Sequence, residues 1–209
     1  MNKIISIHIP KTGGTTFQNL LESKFDDINI QVTKPLFYRC ENKQMAKLDV
    51  EEFNSSLLHG HMTFDQVKYN KEYFYLSWLR DPVERVISHY YYWKSKSDFS
   101  VHPIEYRIKH ENLSLIDFCK IPCMQNVQSF FLGDDIELFD FIGITEEFEK
   151  SLSLLNKKIS LNFEYNKSQN KRVNNEKEYV SDHDKKIILE YNRKDYEYYQ
   201  KAKKKLGIE

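Results

Sequence analysis

The stretch IHIPKTGGTTF, residues 7–17, changes its hydrophobic period halfway along, and that change decides the fold. Before it, Lys3 to Ile9 is nearly continuous in isoleucine, the pattern of a strand covered on both faces as in a parallel sheet. After it, Phe17, Leu20, Leu21 and Phe25 recur at helical spacing. Between the two, Pro10 ends the strand, and Gly13 and Gly14 let the backbone turn so that successive N–H groups point into one concavity at a helix N-terminus. A loop of this kind binds an anion through backbone hydrogen bonds and the helix dipole. A Walker A loop carries its lysine after the last glycine, whereas Lys11 precedes Gly13 and Gly14. Lys11 adds a unit charge worth about 4 kcal/mol against an oxyanion about 4 Å away at an effective dielectric near 20, before desolvation. Thr15 and Thr16 are expected to add hydroxyl donors and to cap the helix.

Outward from this unit the alternation continues. Leu57 to Phe64 (LLHGHMTF) reads as a short strand running into a loop, while residues 26–54 show no clear period. Tyr73 to Leu79 reads as a buried strand, after which Asp81 and Pro82 are an N-cap and a first helical residue. Helices are expected around Ile104 to His110 and from Leu115 through Phe131, then a strand at Phe139 to Ile144. Phe148, Leu152 and Leu155 share one face of a further helix. Asn162 to Glu178 reads as a polar loop, and a terminal helix runs from Ser181 to about Lys205 with Ile188, Tyr191 and Tyr199 inside. These elements predict one domain over residues 1–209 of the α/β class: three layers, with a mainly parallel sheet flanked by helices. Ligands of such folds sit beyond the carboxyl ends of the strands.

Composition narrows the partners. The 31 Lys and Arg balance the 31 Asp and Glu, so no global field favours nucleic acid or an anionic membrane, and an anion site must be local. Cys40, Cys119 and Cys123 are sparse and odd in number, without C-x-x-C spacing, which predicts neither a disulfide framework nor a zinc site. A reducing, cytoplasmic setting is expected, since no apolar run reaches the length of a signal peptide or of a membrane span of about 20 residues.

A second constellation lies in RDPVERVISHYY, residues 80–91. Val83, Val86, Ile87 and Tyr90 form an apolar stripe, which leaves Arg85 and Ser88 together on another face. With Arg80 at the preceding strand end, Arg80 and Ser88 are placed to converge on one anion. Alone, Arg80 and Arg85 read better as surface ion-pair partners of Glu84 or Asp81. Together with the lysine loop they imply a ligand with two separated anionic groups.

His59 and His61 project from the same side of their strand, and histidine is the natural general base near neutral pH, although this spacing also suits a metal or a structural role. His8 reads as structural and His89 as an exposed neighbour. Lys171 and Arg172 in the polar loop either add charge to a bound anion or are solvated. Tyr90, Tyr91, Tyr92 and Trp93 offer a wall for stacking sugar, although helical spacing makes most of them core.

PKTGGTT followed by R-D-P-x-x-R-x-x-S resembles the paired signatures of sulfotransferases that use 3'-phosphoadenosine 5'-phosphosulfate (PAPS), in particular the glycan branch of heparan/uronyl 2-O-like, family 2 type. Weaker similarity extends to NVQSFFLG (126–133), IGITEEFEKSL (142–152) and DYEYYQKA (195–202). The resemblance implies a P-loop NTPase-like sulfotransferase fold. It implies that Lys11, Thr12, Gly13, Gly14, Thr15 and Thr16 hold the 5'-phosphosulfate, while Arg80 and Ser88 hold the 3'-phosphate. It further implies sulfuryl transfer to a carbohydrate or other hydroxyl-bearing acceptor without a metal, releasing 3',5'-adenosine bisphosphate. Lys11 then stabilises the leaving phosphate, and His61 is the base with His59 as helper or alternative. A P-loop-type nucleotide kinase and a non-catalytic nucleotide-binding module are the alternatives. The lysine order and the lack of a clear Walker B aspartate weigh against the kinase.

Overall fold

Strand β1 (Ile4–Ile7) is buried along its whole length because it sits at the middle of a parallel sheet with helices on both faces. The computed structural model describes residues 3–96, 102–165 and 179–208. Among these, four further strands are β2 (Ile28–Val32), β3 (Leu57–His61), β4 (Phe74–Leu79) and β5 (Phe141–Ile144). All pairings are parallel, in the order β2-β3-β1-β4-β5.

Helices follow the strands: α1 (Gly14–Glu22), α2 (Pro35–Cys40), α3 (Pro82–Ser95), α4 (Pro103–His110), α5 (Leu115–Lys120), α6 (Val127–Leu132), α7 (Phe148–Ile159), α8 (Asp182–Glu190) and α9 (Arg193–Lys205). Strand residues alternate between two cores. Ile4, Leu57, Leu76 and Trp78 meet Phe17 and Leu21 of α1 and Leu152 and Leu155 of α7. Ile5, Leu58, Tyr75 and Leu79 face the opposite layer, with Val86, Phe118, Phe131, Ile188 and Tyr198. Each fully buried side chain of this kind stabilises the fold by about 1.5–3 kcal/mol. The expected three-layer α/β architecture, a P-loop NTPase-like sheet with its glycine loop after the central strand, is therefore present.

Beyond neighbouring strands β1 and β4 the chain departs in opposite directions: through α1 toward β2 on one side, through α3 toward β5 on the other. This is the switch point at which open parallel sheets form a ligand crevice.

Several expectations are corrected. The helix expected from Leu115 through Phe131 is two, α5 and α6, because Pro122 opens a 3-10 turn at Pro122–Met124 between them. The terminal helix likewise breaks at Asn192, whose side chain donates to Ile188 O and accepts from Asn126 N. β2 and α2 lie inside the stretch without a clear period; β2 is an edge strand with Ile30 and Val32 exposed, so burial imposes no alternation on it. Cys40 and Cys123 are joined as a disulfide, contrary to the expectation of unpaired thiols. They are 83 residues apart and meet only because α2 packs on the Pro122–Met124 turn, a contact that local spacing cannot show. The cysteine pattern thus gives no support to a reducing compartment. Among the described residues, no helix is long and apolar enough to cross a membrane.

Candidate active site

The loop after β1 is shaped by two left-handed residues, Lys11 (φ 72°) and Gly13 (φ 82°). Gly13 is the N-cap of α1, and among the described residues no side-chain hydrogen bond caps this helix, a kind of terminus suited to an anion. Thr15 and Thr16 therefore do not cap as expected, since the helix already starts at Gly14. Gly14 admits no side chain: a Cβ there would lie 1.6 Å from His8 Nε2. The buried Thr12 turns its hydroxyl inward to donate to Ile9 O at 2.9 Å. Thr145, just past β5, lies with Oγ1 2.8 Å from Thr12 O and 2.9 Å from Leu79 O, bracing the loop against the end of β4.

Arg80 stands at that strand end. Its backbone is clamped by Gln128: Arg80 N–H donates to Gln128 Oε1 and Gln128 Nε2 donates to Arg80 O, each at 2.9 Å. Gln128 is held in turn by fully buried Asp195, which accepts from the N–H groups of Gln128 and Ser129. The Arg80 guanidinium donates to Lys11 O at 3.3 Å, joining the two constellations directly. Glu84 and Glu146 lie 3.7 and 3.8 Å from it. Lys11 Nζ lies over the Tyr92 ring, 3.9 Å from its centroid. Burial, and then Arg80, lower the Lys11 pKa to about 8.

Both expected histidines are on β3, with different surroundings. His59 is sealed in, its Nδ1 2.8 Å from Ser6 Oγ, and its Nε2 has no partner among the described residues. His61 reaches the cavity, and its Nδ1 lies 2.9 Å from His8 O. A carbonyl only accepts, so Nδ1 carries the proton and Nε2 presents a lone pair. Burial lowers the His61 pKa, against the opposing effect of this hydrogen bond, which keeps the neutral form at pH 7. Gly60 between them lets Gln31 O approach to 1.9 Å of where a Cβ would stand.

These groups share a cavity of about 910 Å³ whose walls include Lys11, Gly13, Gly14, Thr15, His61, Arg80 and Ser88. Thr12, Thr16 and His59 are not on its walls. His8, expected to be structural, is a wall residue stacked on His61 with ring centroids 4.2 Å apart. Burial, then His61, His59 and Lys11, push its pKa down to about 2. His89, expected to be exposed, is buried and also lines the cavity, because α3 is covered on that side by α4 and α5. Arg85, expected beside Ser88, is fully buried instead. Tyr91, Tyr92 and Trp93 contribute aromatic wall, whereas Tyr90 is core. Lys171 and Arg172 lie outside the described residues.

Thr145, Gln128 and Asp195 were not assigned a part by sequence, although each lies in one of the three weaker similarity segments. The uncapped helix terminus on one side and Arg80 with Ser88 on the other fit a ligand with two separated anionic groups.

The chain is similar to known proteins. Residues 1–113 match the family model described as "Sulfotransferase family". Heparan sulfate 2-O-sulfotransferase 1 of Xenopus laevis is 30% identical over 108 residues, covering 46% of this chain and 30% of the relative. The Homo sapiens protein of the same name is 29% identical with the same coverage, so the match spans under a third of these relatives' length. A solved sulfotransferase from Alicyclobacillus acidocaldarius aligns over 100% of this chain and 97% of its own, at 11% identity and a TM-score of 0.47.

Proposed function

We infer that this chain, which belongs to the sulfotransferase family, transfers a sulfuryl group from PAPS to a hydroxyl of a carbohydrate acceptor. The observation that carries this is the meeting, in one cavity, of an uncapped glycine-loop helix, an arginine and serine from the neighbouring strand-helix unit, and a histidine whose lone pair faces in. The donor supplies an activated sulfuryl group attached to the 5'-phosphate that departs.

In this proposal the first-turn N–H groups of α1, with Thr15 and Lys11, bind the 5' end of the donor. Lys11 also balances charge on the departing phosphate oxygen, a contribution worth about 2.7–4 kcal/mol at comparable sites. Arg80 and Ser88 hold the 3'-phosphate, which sets the donor's position along the crevice. His61 Nε2 takes the proton from the acceptor hydroxyl. His59 and Thr12 act from beneath, bracing β3 and the loop. A glycan acceptor is supported by the names of the curated relatives and by the faces of Tyr91, Tyr92 and Trp93 on the cavity wall.

Transfer of labelled sulfate from PAPS to a panel of glycans tests this. His61→Ala is expected to lower the rate about 10²–10⁴-fold while affinity for 3',5'-adenosine bisphosphate is kept. An unchanged rate removes His61 as the base, and tighter binding of Mg-ATP than of the bisphosphate supports a kinase instead.

A further inference from the structure

The proposed transfer leaves one large charged group without a task. Arg85 has no exposed surface, and its Nε and Nη2 have no partner among the described residues. Its charge is favoured by Asp195, but that carboxylate is already taken by the N–H groups of Gln128 and Ser129. A buried guanidinium left so poorly paired is costly, and its directed contact among the described residues is Nη1 to His89 Nδ1 at 3.4 Å.

That contact has a definite polarity. A guanidinium only donates, so His89 Nδ1 accepts, and a neutral imidazole then carries its hydrogen on Nε2. Burial, and next Arg85, hold the His89 pKa well below its usual value, which keeps the ring neutral. His89 lines the cavity. His61 has the opposite polarity: its Nδ1 donates to His8 O, so its Nε2 is a lone pair.

The two histidines also differ in place from the nucleotide groups. Along α3, Ser88 and Tyr92 form the strip that meets Lys11. Arg85, His89, Trp93 and Lys96 form the next strip, about 100° round the helix. His89 packs on Trp93 at 4.1 Å between ring centroids, and Trp93 on His102 at 4.6 Å, a direction leading away from Arg80 along the cavity.

We propose that Arg85 is a positioning residue that fixes His89 as an Nε2–H donor, and that His89 gives this hydrogen bond to an oxygen of the acceptor sugar. Opposite polarities at His61 and His89 then orient a pair of neighbouring sugar oxygens. The hydroxyl that can lose its proton must point at the His61 lone pair, and its neighbour must accept from His89. Where the neighbour is a ring, glycosidic or carboxylate oxygen, which only accepts, reversing the pair sets two lone pairs together at His61, so this arrangement directs the hydroxyl to the base. The proposal rests on the sulfotransferase function.

The tautomer is read without any reaction, from long-range imidazole nitrogen–proton correlations of the full-length protein at pH 7. His89 is assigned by the signal missing in His89→Phe. The expected result is a single Nε2–H form that becomes a mixture in Arg85→Met, with the fold checked by backbone spectra. An Nδ1–H form or an imidazolium in the unaltered protein overturns the proposal. In kinetics with heparan sulfate and labelled PAPS, His89→Phe is expected to raise the acceptor KM at least tenfold. Its bisphosphate dissociation constant should stay within twofold, and His89→Gln should restore most of the loss. An unchanged acceptor KM, or a parallel loss of bisphosphate affinity, also overturns it. If the unaltered protein moves no sulfate to any glycan, the transfer function falls, while the tautomer measurement still decides the Arg85–His89 pairing.

Discussion

Helices α1 and α3 begin just beyond neighbouring parallel strands, yet their first turns are finished in opposite ways. α1 starts from Gly13 without a side-chain cap. α3 starts from Asp81, whose carboxylate accepts from Val83 N and Glu84 N at 3.0 Å each, and Pro82 removes another donor. The terminus of α1, without a side-chain cap among the described residues, is suited to an anion, whereas that of α3 is satisfied internally by Asp81. The α3 unit offers side chains instead, Arg80 before the helix and Ser88 within it. One repeated strand-helix geometry thus has two differently finished N-termini, which on the proposed function become a backbone-made anion site and a side-chain-made one.

The contrast gives graded predictions. Of the two termini, the larger effect is expected at the α1 loop: Lys11→Ala should lower kcat/KM about 10²–10³-fold with little change in the thermal midpoint. Gly14→Ala comes next, because its Cβ needs the space of His8 Nε2. Displacing the loop by about 1 Å should cost about 100-fold in kcat, and full activity in this variant would show that the close approach is unimportant.

The pH profile should be a window. kcat/KM reports the free protein, in which Lys11 must be charged and His61 neutral. With the Lys11 pKa at about 8, kcat/KM should fall above that pH, by about tenfold at pH 9. Lys11→Arg should move this limb upward. Because the His61 pKa is lowered, the acid limb should lie below 6.5. An alkaline limb that stays in place in Lys11→Arg assigns it to another group.

The smallest functional effect is expected at the capped terminus. Asp81→Ala should destabilise the protein by about 1 kcal/mol in denaturant unfolding and leave bisphosphate affinity within about threefold. A large loss of affinity would erase the distinction between the termini.

How far these features were legible depends on whether they are local in sequence. β1, the glycine loop, Asp81 as cap and Pro82 at the first helical position follow from period and turn chemistry, and the structure has them. Arg80 and Ser88 were visible because strand end and helix face are local quantities. The contacts that complete the site are not local. Thr145 reaches Thr12 O across 133 residues, Gln128 reaches Arg80 across 48, and Cys40 meets Cys123 across 83. His8 and His89 were misjudged for a related reason. Helical or strand period places a side chain on a face, but only packing of the other elements shows whether that face is solvent, core or cavity. The two β3 histidines share a side, as expected, yet the strand end exposes His61 to the cavity while the layer above Ser6 seals His59.

The central claim is that the cavity between the α1 loop and α3 binds both ends of one nucleotide. Calorimetry of 3',5'-adenosine bisphosphate against adenosine 5'-monophosphate, on the unaltered protein and on Arg80→Ala, tests it most directly. The account predicts at least tenfold tighter binding of the bisphosphate, with that preference lost in Arg80→Ala while binding of the monophosphate is retained. Equal affinity for the two nucleotides in the unaltered protein, or a bisphosphate preference that survives Arg80→Ala, would contradict it.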